Sequence, residues 1–82
     1  MTSEDITKRF VLAYYKIYGL KEVRTRKEFC EKVDSASSNF KCMEAGSRNA
    51  TVDNICRLID VYGVSPVWLF LGTGDFRTKI PK

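Results

Sequence analysis

Apolar side chains recur at three- and four-residue spacing in five separate runs, and each run is framed by residues that start or stop a helix. The first run, Ile6, Phe10, Ala13, Tyr14 and Ile17, predicts a helix over residues 4–18 with those side chains facing a core. Ser3 is placed to cap it, and Glu4 and Asp5 meet the positive end of its dipole. A second row, Val11, Tyr15 and Tyr18, widens the apolar stripe. That row is either packed by another helix of the same chain or left exposed for a partner. Gly19 is placed to end the helix, and Lys21 to Arg24 is a short connector.

The next start, Thr25-Arg26-Lys27-Glu28, matches a capping box, followed by Phe29, Cys30 and Val33 on a short second helix. Asp34-Ser35 breaks the pattern. Ala36 to Ala45 is predicted as a third helix with Phe40 and Met43 inward, Gly46 at its C-terminal cap and a polar loop, Ser47-Arg48-Asn49-Ala50, after it. Thr51 opens a fourth helix whose expected apolar set is Val52, Ile55, Cys56, Ile59 and Tyr62, closed by Gly63. Ser65-Pro66 opens a fifth, and the dense run Val67 to Leu71 is expected to plug into the core before Gly72-Thr73-Gly74 turns the chain out. The expected architecture is all-α and five-helical, a domain over residues 1–74 with a tail over 75–82 that is frayed or docked on a partner. There is no repeat, low-complexity segment or β alternation.

Composition narrows the function. With 82 residues and 44% apolar content, the chain builds one core and has no room for a deep, water-excluding substrate cavity. Histidine is absent, which removes the commonest general base and metal ligand. The three cysteines, Cys30, Cys42 and Cys56, have neither zinc-site nor disulfide-framework spacing and are expected to be reduced small hydrophobes. We therefore expect no enzyme, no cofactor, no metal and no small-molecule ligand. The amino terminus is acidic where a signal peptide is basic, so a cytoplasmic protein without a membrane span is expected. Net charge is +4, with residues 21–48 at +2, residues 49–76 at −2 and residues 77–82 at +3. Positive charge thus sits in the middle of the chain and at its end, which permits a polyanionic partner.

Two short helices joined by a tight turn, framed by three others, are the arrangement of a helix-turn-helix. The segment Thr25 to Asn49, TRKEFCEKVDSASSNFKCMEAGSRN, resembles the phage repressor and Cro type (XRE-like, lambda-repressor-like), whose pattern reads roughly T-Q-x-E-L-A-x-x-L-G-V-S-x-x-x-I-S-x-x-E-x-G-x-R. Val64-Ser65-Pro66-Val67-Trp68-Leu69-Phe70-Leu71-Gly72 is similar to its V-S-x-x-W-L-L-x-G ending, and residues 6–74 are covered.

The resemblance implies a compact lambda-repressor-like domain that binds double-stranded DNA and regulates transcription, with the third helix in the major groove. It places Ser37, Ser38 and Cys42 where family members read base edges, with Asn39 and Lys41 beside them. It places Arg26 where the family has a Gln that touches phosphate, with Thr25 beside it and Ser47, Arg48 and Asn49 along the backbone. Glu44 and Gly46 match the family's helix end, where the glutamate pairs with a neighbouring Arg or amide. A single module buries only about 600–1,000 Å² on DNA, so a homodimer is expected, with Val11, Tyr15, Tyr18 and the tail as its candidate contacts.

Three positions depart from the pattern. Asp34 replaces the turn glycine, Ser35 a Val or Ile, and Ala36 the usual Ser or Thr cap. They predict a looser or shifted start to the third helix, with Ser35 as an alternative cap. They also support a different class, a helical protein-protein interaction module, antitoxin-like or anti-repressor-like, that has lost base readout.

Overall fold

Hydroxyl side chains divide the chain into helices. The computed structural model describes residues 2–77, and over them the chain is all-α. Its elements are α1 (Ser3–Gly19), α2 (Arg26–Lys32), α3 (Ser37–Ala45), α4 (Val52–Tyr62) and α5 (Pro66–Leu71). Thr2, Thr25, Thr51 and Ser65 each accept the amide three residues on, at 3.1, 3.1, 3.1 and 3.4 Å. Two expected caps are corrected in their bonding. Thr2, not Ser3, caps α1. At α2 the Glu28 carboxylate accepts from Arg24 N–H at 3.2 Å rather than from Thr25, so the reciprocal box forms instead at Thr51 and Asn54.

The end of α1 also differs from expectation. Gly19 stays helical, and Lys21 takes the left-handed conformation (φ 62). The amides of Lys21 and Glu22 then close back on the Tyr18 and Ile17 carbonyls. This Schellman turn drops Val23 into the core, 3% exposed, an anchor that outweighs the small cost of a left-handed lysine.

The core is built around four rings. Tyr14 lies 5.0 Å from Phe29 and 5.2 Å from Phe40, Phe29 lies 5.5 Å from Phe40, and Phe10 touches both phenylalanines at 5.8 and 6.2 Å. Because these rings come from α1, α2 and α3, they lock the two short helices onto the long one. Tyr62 of α4 stacks on Phe29 at 5.6 Å and extends the cluster.

The buried face of α4 is not the one its apolar residues predict. Asn54 and Leu58 are inside, Ile55, Ile59 and Tyr62 are half-buried, and Val52 and Cys56 are exposed. The helix is rotated because Asn54 answers backbone carbonyls that would otherwise be buried without a donor. Nor does all of α5 plug in: Trp68 and Leu69 are buried, whereas Val67 and Leu71 are 53% and 61% exposed. Arg9 reaches from α1 to the Leu69 and Phe70 carbonyls at 3.2 and 3.1 Å, answering groups the end of α5 leaves open.

Past Gly74 the chain stays in contact with the helices. Phe76 meets Trp68 edge-to-face at 4.7 Å, its carbonyl accepts Ser65 N–H at 2.8 Å, and Arg77 pairs with Glu22 at 2.6 Å. Residues 78–82 of the expected tail lie outside the described residues. Among the described residues the one β feature is an isolated antiparallel bridge, Val64 to Arg77, and no helix is long and apolar enough to cross a membrane.

Candidate functional site

The α2–α3 connection, residues 33–36, is fixed at both ends. Asp34 takes the left-handed conformation (φ 58) that the turn requires, and the amides of Asp34 and Ser35 close on Glu31 and Cys30 at 3.3 and 2.8 Å. The carbonyls of Val33 and Asp34 then point at α4, where Asn54 Nδ2 donates to both at 2.8 and 3.2 Å. Phe29, Val33 and Phe40 are fully buried and Met43 nearly so, so the inward faces of the two helices are those expected.

A second clamp holds the other end of α3. Arg26 Nη1 lies 2.8 Å from Glu44 Oε1, and Nη2 donates to Oε2 at 3.3 Å. The guanidinium also rests against the Tyr14 and Phe40 rings, 5.8 and 5.7 Å from their centroids. The Tyr15 hydroxyl donates to the same carboxylate. Its pKa is raised above the ordinary 10.0, first by that hydrogen bond, then by burial and by the Glu44 charge. Arg26, expected beside a phosphate, is therefore committed to Glu44 at the point where α2 crosses to α3. Glu44 is the only carboxylate on α3, and it is neutralised in place.

What α3 leaves in solvent is polar and cationic. Ser37, Ser38 and Lys41 are exposed, while Asn39 and Cys42 are half-buried on one flank. Ala36 occupies the N-cap position without a side-chain acceptor. Ser35 does not substitute, because its hydroxyl donates to the Ala36 carbonyl at 3.2 Å. The expected shift to a Ser35 cap does not occur, and α3 starts at Ser37.

The loop after α3 is held from α1. Thr7, 4% exposed, accepts Ala50 N–H at 2.9 Å and donates to Asn49 Oδ1 at 3.4 Å. Ser47 uses both its amide and its hydroxyl on the Cys42 carbonyl, at 3.0 and 3.2 Å. Arg48 Nη1 donates to Asn39 Oδ1 at 2.5 Å. Thr25, Arg26, Ser47, Arg48 and Asn49 thus flank α3, each with a hydrogen bond inside the fold, and of the two arginines only Arg26 is paired with a carboxylate among the described residues.

Val11, Tyr15 and Tyr18, the candidate dimer row, divide between the two readings left open for them. Val11 packs against the core, and the tyrosines are about half exposed. A second apolar surface lies elsewhere. Ile6, Ala50, Val52, Ile55, Cys56, Ile59 and Phe70 line a groove of about 390 Å³ between α1, α4 and α5. All three cysteines are free, Cys30 buried, Cys42 half-buried and Cys56 exposed, so Cys56, expected on the apolar face of α4, lies outside the core.

No protein-family model matches the chain, and no curated protein or solved structure matches it. The residues that the sequence pattern missed, Thr7, Arg9 and Asn54, are polar groups on faces read as apolar or solvated. Only the Thr51–Asn54 cap spacing pointed toward any of them.

Proposed function

We propose that the chain is a lambda-repressor-like helix-turn-helix domain that binds double-stranded DNA and regulates transcription, with α3 lying in the major groove. The observation that carries this is the charge state of α3. Its one carboxylate is paired to Arg26, and its free surface consists of Ser37, Ser38 and Lys41, continued by Ser47 and Arg48. Such a face offers donors and positive charge to a polyanion and nothing that repels it. The clamps at Asn54 and Arg26 hold the helix against the core by its inward side, so it is presented as a rigid rod. In this assignment Arg26 contributes by fixing α3, and the phosphate contacts fall to Lys41 and to the loop over 47–49.

One such module covers too little DNA for selective binding alone, so the regulator acts as a homodimer. The apolar groove of α4 and α5, rather than Tyr15 and Tyr18, is the surface that supplies the contact. Val52, Val67 and Leu71 stand exposed beside it.

Selection of bound duplexes from a random library tests the assignment. Enrichment of a palindrome with half-sites roughly 10 base pairs apart is expected. A pool that remains unenriched overturns it and favours the protein-interaction module, for which the same apolar groove is the natural docking face.

A further inference from the structure

We propose that Arg48 reads guanine in the major groove, with Asn39 as the positioning residue that carries its guanidinium to the base edge; this rests on the duplex-binding function proposed above. Arg48 lies beyond the end of α3, yet its Nη1 returns to Asn39, the third residue of the helix. The N-terminal half of a reading helix is the part that reaches base edges. The loop that carries Arg48 has little freedom to swing away. Ser47 is bonded twice to the Cys42 carbonyl before it, and Asn49 and Ala50 are bonded to Thr7 after it. Among the described residues no carboxylate pairs with Arg48, so its remaining N–H groups are available.

The contact fixes what Asn39 can offer. A guanidinium has donors and no acceptor, so Asn39 must turn its oxygen toward Arg48 and its NH₂ away. An asparagine that reads adenine needs both atoms, the oxygen for the N6 amino group and the NH₂ for N7. Here Arg48 already holds one of that oxygen's two lone pairs, which leaves the NH₂ as the amide's fully free group. The Asn39–Arg48 pair presents mainly donors, and Lys41 adds three more. Guanine answers with two acceptors, O6 and N7, whereas adenine places an amino group against the same donors. The face therefore selects guanine where an unpaired Asn39 would select adenine.

The test uses the duplex selected from the random library and a panel in which each G·C pair is replaced in turn by A·T, read by fluorescence anisotropy at fixed salt. For the intact protein, replacement at the Arg48 position weakens binding roughly 5- to 150-fold, the range of one bidentate base contact. Arg48→Ala abolishes that discrimination and, with Oδ1 freed, brings adenine level with guanine or above it. Asn39→Ala keeps the charge and the salt dependence but loses most of the guanine preference. Arg48 is exposed and Asn39 half-buried, and melting curves confirm that the variants fold.

An Arg48→Ala protein that binds more weakly, with a shallower salt slope and an unchanged guanine preference, marks Arg48 as a phosphate contact and overturns the proposal. Failure of the intact protein to bind any duplex overturns the DNA function and this inference with it. The two failures are distinguishable because only the second removes binding from every protein in the panel.

Discussion

Asn54 serves two elements at once. It completes the cap of α4 with Thr51 and donates to the Val33 and Asp34 carbonyls of the α2–α3 turn. Removing it leaves the Val33 carbonyl buried without a donor and the cap half undone. Asn54→Ala should therefore cost about 2–4 kcal/mol in chemical denaturation, a large share of what a chain of this size commands. A loss below about 1 kcal/mol would show that water replaces the side chain. Tyr15 makes a separate prediction. Its raised pKa means that the folded state favours the neutral phenol. Its contribution to stability is complete below the ordinary phenol pKa and is lost as pH rises through the higher folded value. Burial raises Tyr62 as well, so Tyr15 is read from the difference between ultraviolet titrations of the protein and a Tyr15→Phe control, in which its phenol should ionise late and Glu44→Gln should move it back toward 10.0.

Among the elements, starts were legible in the sequence and faces less so. A hydroxyl before an acidic or proline-led turn is a local signal, which is why α2, α4 and α5 begin where Thr25, Thr51 and Ser65 predict. The buried side of α4 is set by carbonyls of another segment, and no periodicity in α4 itself reports them. The α3 start is the one without a side-chain acceptor, and Ala36 already has the extended backbone of an N-cap (φ −72, ψ 146). Ala36→Ser should stabilise the domain by about 1 kcal/mol, read as an upward shift in melting temperature; no shift would mean that another group already serves those amides. Gly72 ends α5 with φ 74, and a Cβ there would lie 2.8 Å from Arg9 Nη2, on a guanidinium held in place because its Nη1 donates to the Leu69 and Phe70 carbonyls. Gly63 has the same backbone hand and open space around it. Gly72→Ala should thus destabilise more than Gly63→Ala, whose cost is the left-handed backbone alone, roughly 1–2 kcal/mol; equal losses would mean that Arg9 moves aside freely.

For the whole molecule, the five-helix count and the inward set Phe29, Val33, Phe40 and Met43 were readable from spacing, because each is a local pattern backed by burial. The outward set Ser37, Ser38 and Lys41 follows as its complement. The partners across the fold were not readable, beyond the expectation that Glu44 meets an Arg or an amide. Arg26 with Glu44, Thr7 with the 47–50 loop and Arg48 with Asn39 join residues 18, 43 and 9 positions apart, and only the packed chain brings them together. These long-range bonds turn a polar helix into a presented one. In the proposed function this helix and its loop engage the charged backbone and grooves of a duplex. Titration of the selected duplex across a series of salt concentrations tests it most directly. The expected result is a steep linear fall of log affinity with log salt, on the order of several phosphate contacts, that becomes shallower by about one in Lys41→Glu. A slope near zero, or one that Lys41→Glu leaves unchanged in size and affinity, would contradict it.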